Sequence, residues 1–428
     1  NTKQSMQTNK TQNNNRISAS CSAKLDKILT NKLFGYPIFL FLIALTFFLT
    51  FYLGKYPMDL IDYIFSFMGS WLENTMNEGW LRSLLVDGLI SGIGSVIVFL
   101  PNILILYVCL SFLETSGYMA RANLIMDNLM HKIGLHGESF MPLIMGFGCS
   151  VPAIMATKQI KDRSSRLITT LIIPFFSCSA KIPVYIILIG TFFSNSWLLM
   201  FGIYIFGVVI AIIMAKILSL FIKKEQTQHA DIELPDYNLP TLGKVLKDSW
   251  SKCVYYLKKI ASTILIASIV IWALGYFPRQ NDNANAKIQL ENSYMGKIGQ
   301  AIEPVFQPLG MDYRQSVSLI SGLAAKELVA TTMTVLYSSS DEADNTIASN
   351  DAEEESNLKI SQAIKDNMLP LSAGSMLIFT LLYTPCLSTI ISIHAITKKK
   401  CYVVFTILYT LSLAWIMSFL FYKIASLI

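Results

Sequence analysis

Charge is what this chain has least of. Only 14% of its 428 residues are Asp, Glu, Lys or Arg, whereas 53% are hydrophobic. An average soluble domain carries about 25% charged residues. With a mean hydropathy of +0.49, a soluble globular fold and an intrinsically disordered chain are both excluded. The 22 glycines have no period, which excludes collagen, and the seven cysteines form no C-x-x-C pair, which excludes a zinc knuckle or a disulfide scaffold. No stretch reads G-x-x-x-x-G-K-[ST], G-x-S-x-G, H-E-x-x-H or a dinucleotide fingerprint, so these residues hold no P-loop nucleotidase and no recognisable enzyme active site. The net charge of +6 comes from Lys and Arg placed between apolar runs, a pattern of membrane loops rather than of a nucleic-acid surface. What remains is an all-α polytopic membrane protein.

Runs long enough to cross about 30 Å of hydrocarbon occupy residues 36–54, 84–113, 167–193, 197–222, 260–277, 369–393 and 402–422. This predicts about seven full spans. Residues 58–72 carry apolar positions at helical spacing with Asp59, Asp62 and Glu73 among or beside them, which predicts one leading helix lying in the interface. Residues 1–25 read as a polar, linker-like cytoplasmic segment, and the chain as the downstream part of something longer. Lys24, Lys27 and Lys32, then Lys158, Lys161, Arg163 and Arg166, then the Lys residues of 216–259, then Lys398 to Lys400 mark four cytoplasmic loops. The acidic stretch 338–360 is expected outside, and the N-terminus in the cytoplasm.

Two further apolar runs, 140–157 and 317–337, are interrupted by Pro142, Gly146, Gly148 and Pro152 in the first and by Gly322, Lys326 and Glu327 in the second. The loop charges balance only if each enters and leaves on one side, as re-entrant hairpins. Such backbone is tolerated only where it is buried in protein or lines a cavity. The two runs also resemble each other: Leu143-Ile144-Met145-Gly146-Phe147-Gly148 matches Leu319-Ile320-Ser321-Gly322-Leu323-Ala324, and Cys178 after Pro174 corresponds to Cys386 after Pro385. The predicted organisation is residues 26–80 as first span and interfacial helix, 84–222 as repeat one with a first gate, 223–259 as a cytoplasmic connection, and 260–422 as an inverted repeat two with a second gate. Inverted repeats with broken segments near the midplane mark secondary-transporter folds.

Three cysteines stand apart from Cys21, Cys109, Cys253 and Cys401. Cys149, Cys178 and Cys386 each sit beside a glycine or proline that interrupts a helix. Thiolates favour transition metals over Na⁺, Mg²⁺ or Ca²⁺, so these sulfurs are candidate ligands of a divalent metal, with Met155 as a further soft ligand. Ionisable residues inside membrane segments are costly and usually functional. Glu327 is a candidate oxygen ligand or gate, with adjacent Lys326 as its alternative ion-pair partner. Glu114 and Lys181 are expected to support the site, Lys181 as a counter-ion one turn from Cys178. Gly146, Gly148, Pro152 and Pro385 shape the gates. His131, His136, His229 and His394 are expected to form no cluster, the first two being solvated loop residues.

The string Gly146-Phe147-Gly148-Cys149-Ser150-Val151-Pro152-Ala153-Ile154-Met155-Ala156-Thr157 closely resembles the first gate of the ferrous iron transport protein B family. Leu113 to Ala122, Pro174 to Pro183, Leu381-Leu382-Tyr383-Thr384-Pro385-Cys386 and Glu233 to Pro240 resemble other segments of that family, and the likeness runs from about Asp26 to the C-terminus. Ser150 stands where many members have Asn. The resemblance implies Fe²⁺ import across the bacterial inner membrane, with Cys149, Cys178 and Cys386 as the gate cysteines. It also implies GTP and Mg²⁺ acting only through an N-terminal GTPase domain outside these residues. Implied partners are membrane lipid, that GTPase domain, small cytoplasmic accessory proteins and further copies of the chain, with no nucleic acid. The rival readings are a nucleoside or organic-solute carrier of related gate architecture, and a metal sensor without transport.

Overall fold

The computed structural model describes residues 32–77, 79–193, 196–222, 241–279, 286–337 and 361–427. The predicted linker 1–25, the acidic loop 338–360 and the connection around Glu233–Pro240 lie outside them. Among the described residues the fold is helical, with no strand. Among the described residues, five helical stretches are long and apolar enough to cross a membrane, Phe34–Thr75, Arg163–Phe192, Trp197–Phe221, Pro370–Thr397 and Lys400–Ala425, and a sixth if the bent pair Leu100–Thr115 and Tyr118–Lys132 is one span. Their outward faces are apolar, as at Leu40, Trp197 and Leu408, which suits a lipid environment.

The first element departs from expectation. Helix α1 (Lys32–Thr75) is one continuous helix of 44 residues, so no separate interfacial helix follows the first span. At 1.5 Å per residue it is about 66 Å long, twice the hydrocarbon thickness. Neither Pro37 nor Pro57 ends it. The predicted span 84–113 is divided. A π-helical stretch (Leu84–Ile90) leads into α2 (Ser91–Val98), and a break at Phe99 precedes α3 (Leu100–Thr115), with Pro101 in its first turn. Asp87, on the π-helical stretch, accepts from the Ser83 hydroxyl, which itself accepts from the Trp272 indole.

An 85° bend then joins α3 to α4 (Tyr118–Lys132). Gly117 makes that bend with φ of 81°, a left-handed conformation suited to glycine. The buried Arg121 guanidinium donates back to the Gly117 carbonyl at 2.9 Å.

The interrupted segments recur in one order. In the first half, α5 (Phe140–Met145) and α6 (Ser150–Ala156) flank a turn, and then α7 (Arg163–Ile172) and α8 (Ile182–Phe192) flank a break. Asp162 caps α7, accepting from the Ser165 N–H at 2.6 Å. Burial works against its ionisation, but the Ser165 hydrogen bonds and nearby His136 outweigh burial and hold the carboxyl below its ordinary value. Helix α9 (Ser196–Phe221) closes this half.

Helix α10 (Leu242–Tyr276) carries the chain into the second half, running straight through the expected boundary at 259/260 because the Lys-rich segment keeps helical periodicity into the apolar one. After α11 (Tyr294–Phe306), helices α12 (Tyr313–Ser321) and α13 (Leu328–Tyr337) flank the second turn. Then α14 (Pro370–Leu382) and α15 (Leu387–Thr397) flank the second break, and α16 (Lys400–Ala425) follows.

The halves interlock reciprocally. The second helix of each turn packs on the second half-helix of the other half of the chain: α6 against α15, and α13 against α8. Each turn is also tied to the break of its own repeat by backbone. Ser179 N–H donates to Gly148 O at 3.2 Å, and Leu387 N–H donates to Leu323 O at 3.0 Å. Buried residues of both halves, Phe175, Tyr185, Phe379 and Tyr383 among them, form one continuous core.

Candidate metal centre

Each of the three singled-out cysteines occupies the residue before a new helical segment. Cys149 (φ −152°, ψ 128°) precedes α6, Cys178 (φ −76°, ψ 159°) precedes the 3₁₀ turn Ser179–Lys181 leading into α8, and Cys386 (φ −59°, ψ 157°) precedes α15. The sequence dictates this locally. Pro152 and Pro183 sit in first turns, where no N–H is required, and Pro385 keeps the chain before Cys386 extended. A residue at such a position faces free backbone N–H groups and the partially positive end of a helix. That environment complements a sulfur that gives its proton to a metal.

The turns and breaks converge on one cavity of about 120 Å³. Gly148, Cys149 and Ser150 line it from the first turn, and Cys178, Ser179 and Ala180 from the first break. Ala324, Ala325, Lys326 and Glu327 come from the second turn, and Cys386, Ser388 and Thr389 from the second break. The predicted residues Cys149, Cys178, Cys386, Glu327, Lys326 and Gly148 are thus brought together. Cys386 Sγ lies 3.1 Å from Thr389 Oγ1. The lining offers soft sulfur and hard carboxylate oxygen, a donor set that fits borderline divalent metals.

Two lysines fix the second break. The buried Lys181 ammonium donates to Leu381 O at 2.7 Å, and the buried Lys326 ammonium donates to Thr384 O at 2.6 Å while lying 3.0 Å from the Tyr383 ring centroid. These carbonyls belong to the end of α14 and the chain just after it, where no intrahelical donor follows. Lys181 reaches across to the other repeat instead of lining the cavity beside Cys178, and Lys326 turns to a carbonyl rather than to Glu327. Gly146 lies outside the cavity lining; a Cβ there would stand 2.9 Å from Leu143 O and 3.1 Å from Phe176 Cβ. Pro385 likewise lies in the break without lining the cavity.

Met155 is not brought to the cysteines. It lines a second cavity, of about 540 Å³, with Pro152, Glu114, Glu138, Asn123, Lys158 and Lys252. One further turn of α6 carries it away from Cys149. Glu114 pairs there with Lys252 at 3.3 Å and accepts from Gln159 at 3.2 Å. The expectation that no histidines cluster is also corrected. The His131 and His136 rings lie 5.0 Å apart, and Asp127 stands within ligand distance of both. Gly134, at φ 86°, turns the chain back over the end of α4, which linear spacing does not reveal.

Sequence reasoning missed Asn102. It lines the cysteine cavity, and its Oδ1 is buried without a hydrogen-bond partner. Its signal was there: an amide after Pro101 inside an apolar run. Thr50 and Phe51 of α1 line the same cavity.

Comparison with known proteins agrees with this architecture. The family model described as "Gate: Nucleoside recognition" matches residues 96–192 and 257–400, and the one described as "Ferrous iron transport protein B C terminus" matches residues 200–252. The Fe(2+) transport protein A/Fe(2+) transporter FeoB fusion protein of Porphyromonas gingivalis is 42% identical over 94% of this chain and 51% of its own length. The Fe(2+) transporter FeoB of Campylobacter jejuni is 41% identical over 95% of this chain and 65% of its own length. That of Helicobacter pylori is 36% identical over 89% and 63%. The chain therefore spans between half and two thirds of these relatives. No solved structure matches it. With more than half of its residues in the Gate match, the chain belongs to the Gate family, and the match between the two Gate segments is to the C terminus of ferrous iron transport protein B.

Proposed function

We propose that this chain is the membrane permease of a ferrous iron importer, and that Fe²⁺ passes through the cysteine-lined cavity. The observation that carries this reading is the meeting of Cys149, Cys178 and Cys386 with Glu327 in one cavity at the ends of interrupted helices. Sulfur and carboxylate together suit a borderline divalent cation. An organic solute would call for a cavity of about 300 Å³ or more, and the cysteine-lined one is about 120 Å³.

On this reading the two repeats are inverted, the turns are re-entrant, and seven spans place the C-terminus outside. The ion enters near the acidic stretch, passes Glu327 and the three sulfurs, and leaves through the cavity of about 540 Å³ among the basic loops. Gly146, Gly148, Pro152 and Pro385 keep the turns and breaks open, Lys181 and Lys326 hold the second break, and Glu114 and Met155 line the exit. The setting is a bacterial inner membrane with the N-terminus in the cytoplasm. GTP and Mg²⁺ act through a GTPase domain beyond these residues. A small accessory protein assists, as the fusion of transport protein A to the Porphyromonas relative suggests.

The test is anaerobic Fe²⁺ uptake into liposomes holding the chain. Uptake should be insensitive to nucleosides and should fall at least about tenfold in Cys149→Ser/Cys178→Ser/Cys386→Ser, as loss of directly coordinating ligands requires. Competition by nucleosides, with full flux in the triple variant, would favour the organic-solute carrier instead.

A further inference from the structure

The cluster at the end of α4 has no part in the cysteine cavity. Asp127 and His131 are four residues apart on one helical face, so their side chains meet. His131 Nε2 lies 3.1 Å from Asp127 Oδ2. Gly134 then turns the backbone through a left-handed conformation, and the Leu135 N–H closes on Met130 O at 3.0 Å. This brings His136 back over the helix end, within ligand distance of the other two.

The support is built. Gly137 N–H donates to Asp127 Oδ1 at 2.7 Å, orienting the carboxylate. A Cβ on Gly137 would collide with the Asn123 carbonyl, so the backbone here lies flat against α4. Behind His136 stands Asp162, with Oδ2 3.9 Å from His136 Nε2. Asp162 is 7% exposed, and its Oδ1 is buried without a hydrogen-bond partner. The oxygen nearer His136 is Oδ2, which also accepts from the Ser165 N–H.

We propose that Asp127, His131 and His136 bind a divalent transition-metal ion, with the buried Asp162 carboxylate adding negative charge 3.9 Å behind His136. Two imidazoles and one carboxylate with open positions form a ligand set used for Fe(II), and the same donors serve Zn²⁺ and Co²⁺. The three ligand side chains are part-exposed, so an ion can enter and keep water in its remaining positions. The site also adjoins the larger cavity, because Asn123 and Glu138, on either side of it in sequence, both line that space. Its role as a station for the departing ion rests on the transport reading; its existence as a binding site does not.

The test uses Co²⁺ titration of the purified full chain in detergent. The background is Cys149→Ser/Cys178→Ser/Cys386→Ser, which removes the sulfur ligands. That protein should still bind one Co²⁺ per chain. Adding His131→Gln and His136→Gln should weaken this binding by at least about tenfold, as should Asp127→Asn alone. Asp127→Asn keeps the side-chain shape and the acceptor for Gly137 N–H, so it reads ligand chemistry without disturbing the turn. Absence of Co²⁺ binding in the triple-serine background, or affinity unchanged in these variants, overturns the proposal. Intact Co²⁺ binding with no Fe²⁺ flux in the wild-type chain would instead defeat the transport reading and leave this site standing.

Discussion

The two helix breaks share a backbone plan and differ in how it is completed. At the first, around Cys178, hydroxyls finish the work: Ser177 donates to Tyr185 at 3.0 Å, and the Ser179 hydroxyl joins its own N–H on Gly148 O at 3.0 Å. At the second, around Cys386, two buried ammonium groups take the carbonyls of Leu381 and Thr384. The turns differ in the same sense. Aligning Gly146 with Gly322 puts Cys149-Ser150-Val151 opposite Ala325-Lys326-Glu327. The first half therefore brings two sulfurs to the cavity, and the second brings one sulfur with Lys326 and Glu327. The two halves thus contribute unequally to the cavity lining, with two of the three sulfurs from the first and Lys326 and Glu327 from the second.

This asymmetry is open to attack. The largest effect is expected at the second break. Lys326→Met should abolish Fe²⁺ flux and destabilise the fold by about 1–3 kcal/mol, because it strands a buried carbonyl. A melting point like that of wild type would remove the charge-held break from the account. At the two turns, Gly146→Ala and Gly322→Ala should each cost about 1–3 kcal/mol. At Gly146 the new Cβ meets Leu143 O and Phe176, and at Gly322 it meets Val329 and the Tyr383 hydroxyl. Gly190→Ala, with nothing within 4 Å, is the control that should be neutral or slightly stabilising. Thermal melts of the three variants separate the cases.

Ser179→Ala probes the first break more gently. It removes the hydroxyl bond and leaves the backbone one, so a loss of about 0.5–1.5 kcal/mol is expected. A cost as large as that of Lys326→Met would erase the distinction between the breaks. Smallest of all is Lys252→Ala at Glu114. The pair is 43% and 46% exposed, so its removal should cost under about 1 kcal/mol, read by the same melts.

The interruptions were legible because glycine and proline announce them. Gly146, Gly148, Pro174 and Pro385 stand at the turns and breaks and Pro152 in the first turn of α6, and the cysteines beside them stand out in the linear chain. The broad class was legible from scarcity of charge. Other features required three dimensions. The length of α1 was hidden because Asp59 and Asp62 among apolar positions suggested a separate interfacial helix over 58–72, yet no backbone signal stops the helix before it. The 85° bend at Gly117 turns on one left-handed residue. The partners of Lys181 lie 200 positions away, and those of Lys326 lie 58 away, distances at which pattern reading carries no information. Met155 failed as a neighbour of Cys149 because helix α6 carries it into the other cavity, and the histidine cluster was missed because Gly134 folds the chain back onto α4.

The central claim is that sulfurs from three separate interruptions act on one ion. Co²⁺ absorption in the near ultraviolet tests it most directly, since a thiolate-to-metal charge-transfer band reports sulfur ligation and nothing else in this chain. The account predicts a band in the wild-type chain that weakens in each of Cys149→Ser, Cys178→Ser and Cys386→Ser, vanishes in the triple variant, and is unchanged in Met155→Leu. A band that survives the loss of any one cysteine undiminished, or that never forms, contradicts it.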